Sequence, residues 1–167
     1  MLGLPGDNFE THIDSISKVM EAEIDSTSLY TLMLLNGTEM SHQDYQDKFG
    51  FKSHFRILPR DFGKLSNGSI AVEIEEVVTS TNTMPFEDYC RLRLMHLMVN
   101  VTYNGKAFGP LLKLFKENGI KLIELPKALL MNLDSAPPEV KKVVDSFSEK
   151  TKSELWESEE ELRQYAS

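Results

Sequence analysis

Apolar residues recur at helical spacing from Phe9 through Ile13, Ile16, Met20 and Ile24, with charged and polar residues between them, which predicts an amphipathic helix after residue 7. Asp7 is a capping residue type, and Glu10 three positions later completes a capping-box spacing. Residues 28–35 (SLYTLMLL) then run almost continuously apolar, the signature of a strand covered on both faces in a parallel sheet. Before the helix, Met1-Leu2-Gly3-Leu4 leads straight into Pro5-Gly6-Asp7, as a strand does at its end. Strand end, helix and strand in that order make a β-α-β unit, whose ligand crevice lies at the carboxyl ends of the strands. The abrupt opening predicts that the chain is truncated.

A short helix is predicted over 41–49. Phe51, Ser53, Phe55 and Ile57 then alternate with Lys52, His54, Arg56 and Leu58, and after a turn-rich segment (59–68) Ile70, Val72 and Ile74 alternate with Ala71, Glu73 and Glu75. Two antiparallel strands are expected, with Lys52 and Arg56 near Glu73 and Glu75 on a solvated face. From Thr83 a helix carries Phe86, Cys90, Leu94, Leu97 and Val101 on one side, and further helices are predicted over 107–117, 126–133 and 137–156. Ser158 with Glu161 offers a second capping box, opening a short acidic terminal helix.

Composition narrows the function classes. The chain has 167 residues, 41% of them hydrophobic, enough for one substantial core or two small ones. A net charge of -8 argues against a nucleic-acid face, since Lys113, Lys116 and Lys121 are too sparse to neutralise phosphates. Without a long apolar run or a signal-like start, the chain is expected to be cytoplasmic and neither membrane-spanning nor secreted. The sequons at Asn36, Asn67 and Asn100 then carry no meaning. Cys90 is the single cysteine, on an apolar stripe where a thiol acts as a small hydrophobe, and it permits neither a disulfide nor a cysteine cage. His96 lacks a second ligand at i+4, where Asn100 stands, so no metal residue is nominated; no catalytic residue is nominated either.

The candidate chemistry lies in two strand-end loops, Leu4-Pro5-Gly6-Asp7 and Leu35-Asn36-Gly37-Thr38. Glycine lets backbone approach a ligand closely, and the start of the first helix supplies free N–H groups and a positive dipole end. Such a pair can cradle a nucleotide-like ligand, although Pro-Gly and Asn-Gly are also ordinary turn dipeptides.

On these residues the chain resembles the late barrel segment of radical SAM enzymes: a strand ending in a Gly-x-Pro-Gly-Glu-Thr type loop, a helix, and a strand ending near an Asn-Gly-Thr turn. FGFKSHFRILPRDFG and TNTMPFEDYCRLRLMHL resemble the C-terminal extension of members that often carry a cobalamin-binding domain. The resemblance implies an α/β fold: a partial (β/α) barrel end over 1–50, a β-hairpin extension over 51–82 and a helical C-terminal region over 83–167. It places Leu4, Pro5 and Gly6 beside the adenosyl group of S-adenosylmethionine and Leu35, Asn36 and Gly37 near its adenine, with Asp7 where the family has Glu. It also implies that the parent enzyme uses S-adenosylmethionine and an iron-sulfur cluster, with cobalamin as a further cofactor in some members. The cluster cysteines are absent here, so the partner expected is the missing N-terminal half or a separate cluster-bearing subunit, acting on an unidentified small-molecule substrate. A non-catalytic α/β binding or interaction module, and an unrelated α/β domain with a nucleotide site, are the alternatives. An isolated half-barrel leaves a strand edge unpaired and its inner face uncovered, so association or poor solubility is expected unless the helical tail repacks over it.

Overall fold

The computed structural model describes residues 1–66, 68 and 70–166, without the side chains of residues 59–62; Asn67, one of the three sequons, lies outside the described residues. The architecture is mixed α/β and mostly helical. Helix α1 spans Phe9–Glu21 and α2 spans Gln43–Phe49, preceded by a 3-10 turn at Glu39–Ser41. Strands β1 (Lys52–Lys64) and β2 (Ile70–Ser80) follow, then α3 (Phe86–Val99), α4 (Gly109–Glu117), α5 (Glu124–Met131), α6 (Pro138–Ser153) and α7 (Glu159–Ala166).

The first helix forms where its apolar period requires, and it buries Ile13, Ile16 and Met20. Its cap differs from expectation. Asn8 is the N-cap and Thr11 its reciprocal partner, because one more extended residue frees the Asp7 carboxylate for other contacts. The helix also stops at Glu21, leaving Ile24 exposed. In α7 one half of the expected capping box is present, the Ser158 hydroxyl accepting from the Glu161 N–H.

Residues 28–35 are extended, but they are not buried on both faces: Leu32 and Leu34 are buried, whereas Tyr30 and Leu35 are exposed. Leu2 bridges Thr31 in parallel and Met33 bridges Val77 antiparallel, so α1 is the crossover of a minimal β-α-β unit. The bonds fix which edge is used. Leu32 donates its N–H to Leu2 and accepts from the Val78 N–H, and Leu34 donates to Glu76. The N–H and C=O of one strand residue point to the same side, so Leu2 and β2 share one edge of this segment. Along the opposite edge, the backbone groups of Thr31 and Met33 have no backbone partner among the described residues.

Strands β1 and β2 pair antiparallel with Arg56 opposite Glu75. β1 runs through most of the segment expected to be turn-rich, and a register shift between Ile57 and Phe62 absorbs the irregularity there. Lys52 pairs with Ser80, far from Glu73 and Glu75. Trp156 joins the outer edge of β1 by exchanging both backbone bonds with Phe55.

The main core joins α1 to α3: Leu2, Ile13, Ile16 and Met20 pack with Met84, Tyr89, Leu92, Met95, Val99 and Tyr103. This face of α3 differs from the expected one. Tyr89, Leu92, Met95 and Val99 point inward, Phe86 and Cys90 lie at the margin, and Val101 is exposed. Both stripes are apolar, and docking against α1 selects between them. Beyond Val99 the helix widens into a π turn over Asn100–Asn104, where the Gly105 N–H bonds the Asn100 carbonyl.

Candidate functional site: a carboxylate-histidine relay beside the first loop

Leu4-Pro5-Gly6-Asp7 forms a turn closed by the Asp7 N–H on the Leu4 carbonyl at 3.0 Å. Proline at the second position and Gly6 at φ 79° in the third match a type II turn, which only glycine completes without strain. A side chain at Gly6 would point into open space. The turn lines a cleft of about 490 Å³ together with Thr11, His12, Ser15 and Thr27–Leu29.

Asp7 is the hub of this loop. Its Oδ1 accepts from the Asn8 N–H and the Thr11 hydroxyl, and its Oδ2 lies 2.8 Å from Nδ1 of His12. Nε2 of His12 in turn lies 2.9 Å from Nε2 of His96 on α3. The ring centroids are 5.2 Å apart, about the N···N distance plus one ring radius at each end, so the imidazoles meet end to end and do not stack. Burial lowers the His12 pKa, against the raising effect of its bond to Asp7. Burial, reinforced by His12 and Arg93, lowers that of His96 to about 3. Both rings are neutral near pH 7. His96 also stands on the wall of a second cleft of about 260 Å³, which shares Thr27, Ser28 and Leu29 with the first and adds Tyr30, Asn100 and Asn104.

The structure places the sequence-predicted residues unequally. Leu4, Pro5 and Gly6 line the larger cleft. Leu35, Asn36 and Gly37 form a separate turn, closed by the Thr38 N–H and hydroxyl on the Leu35 carbonyl at 3.1 and 2.7 Å, and they do not line that cleft. The two loops leave neighbouring parallel segments at the same end, yet the second does not line the 490 Å³ cleft. Sequence reading missed His12, which sits on the apolar stripe one residue before Ile13. Asp7 and His12, flanking the helix start, were the only local signal for it. The contact to His96 bridges 84 positions and has no local signature.

The strand charges form a second polar cluster, structural in character. Arg56 bonds Glu75 at 2.5 Å and Glu154 at 3.0 Å, and Arg93 reaches Glu154 at 3.4 Å. Glu75 is buried, so the expected solvated face is corrected at this pair. Tyr89 lies among these groups. Its hydroxyl, beside Thr31, is the one enclosed side-chain polar atom that makes no hydrogen bond of normal geometry among the described residues.

The residues do not fit an iron-sulfur cluster. Such a cluster requires several thiolates, whereas this chain has only Cys90, half-buried against the core, where burial pushes its thiol pKa upward. Among the described residues, no three His, Cys, Asp or Glu side chains are grouped to hold a metal ion, and no helix is long and apolar enough to cross a membrane. Compared with models of known protein families and with curated proteins, the chain finds no match.

Proposed function

We propose that the chain is the C-terminal portion of a radical SAM enzyme and that a separate cysteine-bearing portion, in the same polypeptide or in a partner subunit, supplies the cluster. The observation that carries this reading is the parallel bridge from Leu2 to Thr31 with α1 as crossover. It gives the loop–helix–strand order on which the sequence resemblance rests, and it sends both glycine loops out at the carboxyl ends of adjacent parallel segments, where α/β folds bind ligands. The partial (β/α) barrel belongs to this proposal. When bound, the cluster would supply reductive cleavage of S-adenosylmethionine to a deoxyadenosyl radical. This chain's part is to present the Leu4–Gly6 backbone to the adenosyl group, with Gly6 leaving room for close approach. Leu35–Gly37 would reach the adenine only in the completed barrel.

The test is anaerobic reconstitution with iron, sulfide and dithionite, reading 5′-deoxyadenosine release from S-adenosylmethionine. The chain alone should release none. A polypeptide that adds an adjoining coding segment bearing Cys-x-x-x-Cys-x-x-Cys should release it, and Gly6→Val in that context should suppress release. Failure of the completed polypeptide would overturn the enzyme reading and leave a non-catalytic α/β binding module.

A further inference from the structure

Hydrogen-bond directions along the relay determine which nitrogen of His96 carries a proton. A carboxylate only accepts, so His12 must present Nδ1–H to Asp7. A neutral imidazole holds one proton, which leaves Nε2 of His12 bare. The 2.9 Å contact therefore requires Nε2–H on His96, and its Nδ1 is left with an open lone pair. No hydrogen bond engages that nitrogen among the described residues. It is not among the enclosed orphan atoms of the described residues, and His96 lines the 260 Å³ cleft.

Asn100, one helical turn beyond His96, lines the same cleft. Its Oδ1 accepts from Asn104, whose own amide is fixed by the Thr27 backbone at 2.9 and 2.8 Å. The Asn100 NH₂ group remains without a partner among the described residues. The cleft thus offers one acceptor and one donor side by side, with the exposed ring of Tyr30 beside them.

We propose that this cleft is a binding site for a planar group carrying an N–H donor next to a lone-pair acceptor, the edge shared by a carboxamide and by adenine, read by His96 Nδ1 and the Asn100 amide and flanked by Tyr30. Asp7 and His12 are positioning residues that hold the tautomer. The site adjoins the cleft lined by Leu4–Gly6, sharing Thr27, Ser28 and Leu29 with it, but its recognition by His96 and Asn100 does not rest on the radical SAM reading.

The experiment uses the full chain with ¹⁵N-labelled histidine, reading two-bond ¹H–¹⁵N correlations at pH 7 during titration with nicotinamide and, separately, adenosine. His96 should show a bare Nδ1 and a protonated Nε2, and that Nδ1 resonance should move on saturation with one of the probes; the probe that moves it names the source. Asn100→Asp keeps the acceptor for Asn104 but removes the donor, and it should weaken binding by about tenfold or more. Asp7→Asn, with its NH₂ turned to His12, reverses every bond in the relay and should convert His96 to the Nδ1–H tautomer, abolishing binding while the far-ultraviolet dichroism persists. A protonated Nδ1 on His96 in the unaltered chain, or an Nδ1 resonance that neither probe moves, would overturn the proposal.

Discussion

At the scale of single residues, the relay has a consequence for stability. Burial holds His96 near a pKa of about 3 and lowers His12 as well, whereas in the unfolded chain both return to about 6.5. Between these values the unfolded state binds more protons, so stability rises with pH through this window. It is fully present above about pH 6.5 and is lost progressively as pH falls toward 3. Urea midpoints at pH 7 and pH 5 should differ, His96 alone accounting for a drop of about 2 kcal/mol at pH 5. His96→Gln should flatten that difference, and an unchanged midpoint in the unaltered chain would refute the buried neutral pair. Tyr89 tests the opposite case. Its hydroxyl is desolvated beside Thr31 without a hydrogen bond of normal geometry, so Tyr89→Phe keeps the ring stacked on Phe86 and relieves a poorly compensated group. Chemical denaturation should show no loss, or a gain of about 1 kcal/mol.

Among the elements, helix existence was legible because amphipathic periodicity is a local property, and every predicted helix corresponds to an observed one within a few residues. Which face of α3 enters the core was not legible. The expected stripe includes Leu94, and the observed one runs through Leu92, which is fully buried. Leu92→Ala should therefore cost about 2–5 kcal/mol, while Leu94→Ala should cost clearly less, as read by thermal or urea unfolding. Equal costs would contradict the packing. The hairpin register was half legible. Alternation brought Lys52 and Arg56 toward Glu73 and Glu75 as a group; the structure pairs Arg56 with Glu75 and Lys52 with Ser80, and the fate of the charges depended on Arg93 and Glu154 reaching the same place.

For the molecule as a whole, the unpaired backbone of Met33, with Tyr30 and Leu35 also exposed along the same segment, is a template for a further strand, whereas Thr31 on the same edge is buried. The chain should self-associate or capture a partner strand there. Sizing chromatography over a concentration series should show species larger than a 19.0 kDa monomer. Met33→Lys should shift the profile toward the monomer, because a charged edge opposes pairing; a monomer at all concentrations would show that the edge is not used. The sequence by itself determined the helices, the hairpin and the two glycine turns, since each follows from spacings of a few residues and from backbone preferences of glycine and proline. It also placed Leu4, Pro5 and Gly6 at a helix start. Only the tertiary structure decided that Asp7, His12 and His96 form one chain of hydrogen bonds, that Glu75 is buried against a half-buried Arg56, and that the second loop stands outside the cleft. These depend on contacts between segments dozens of residues apart, which no local pattern encodes.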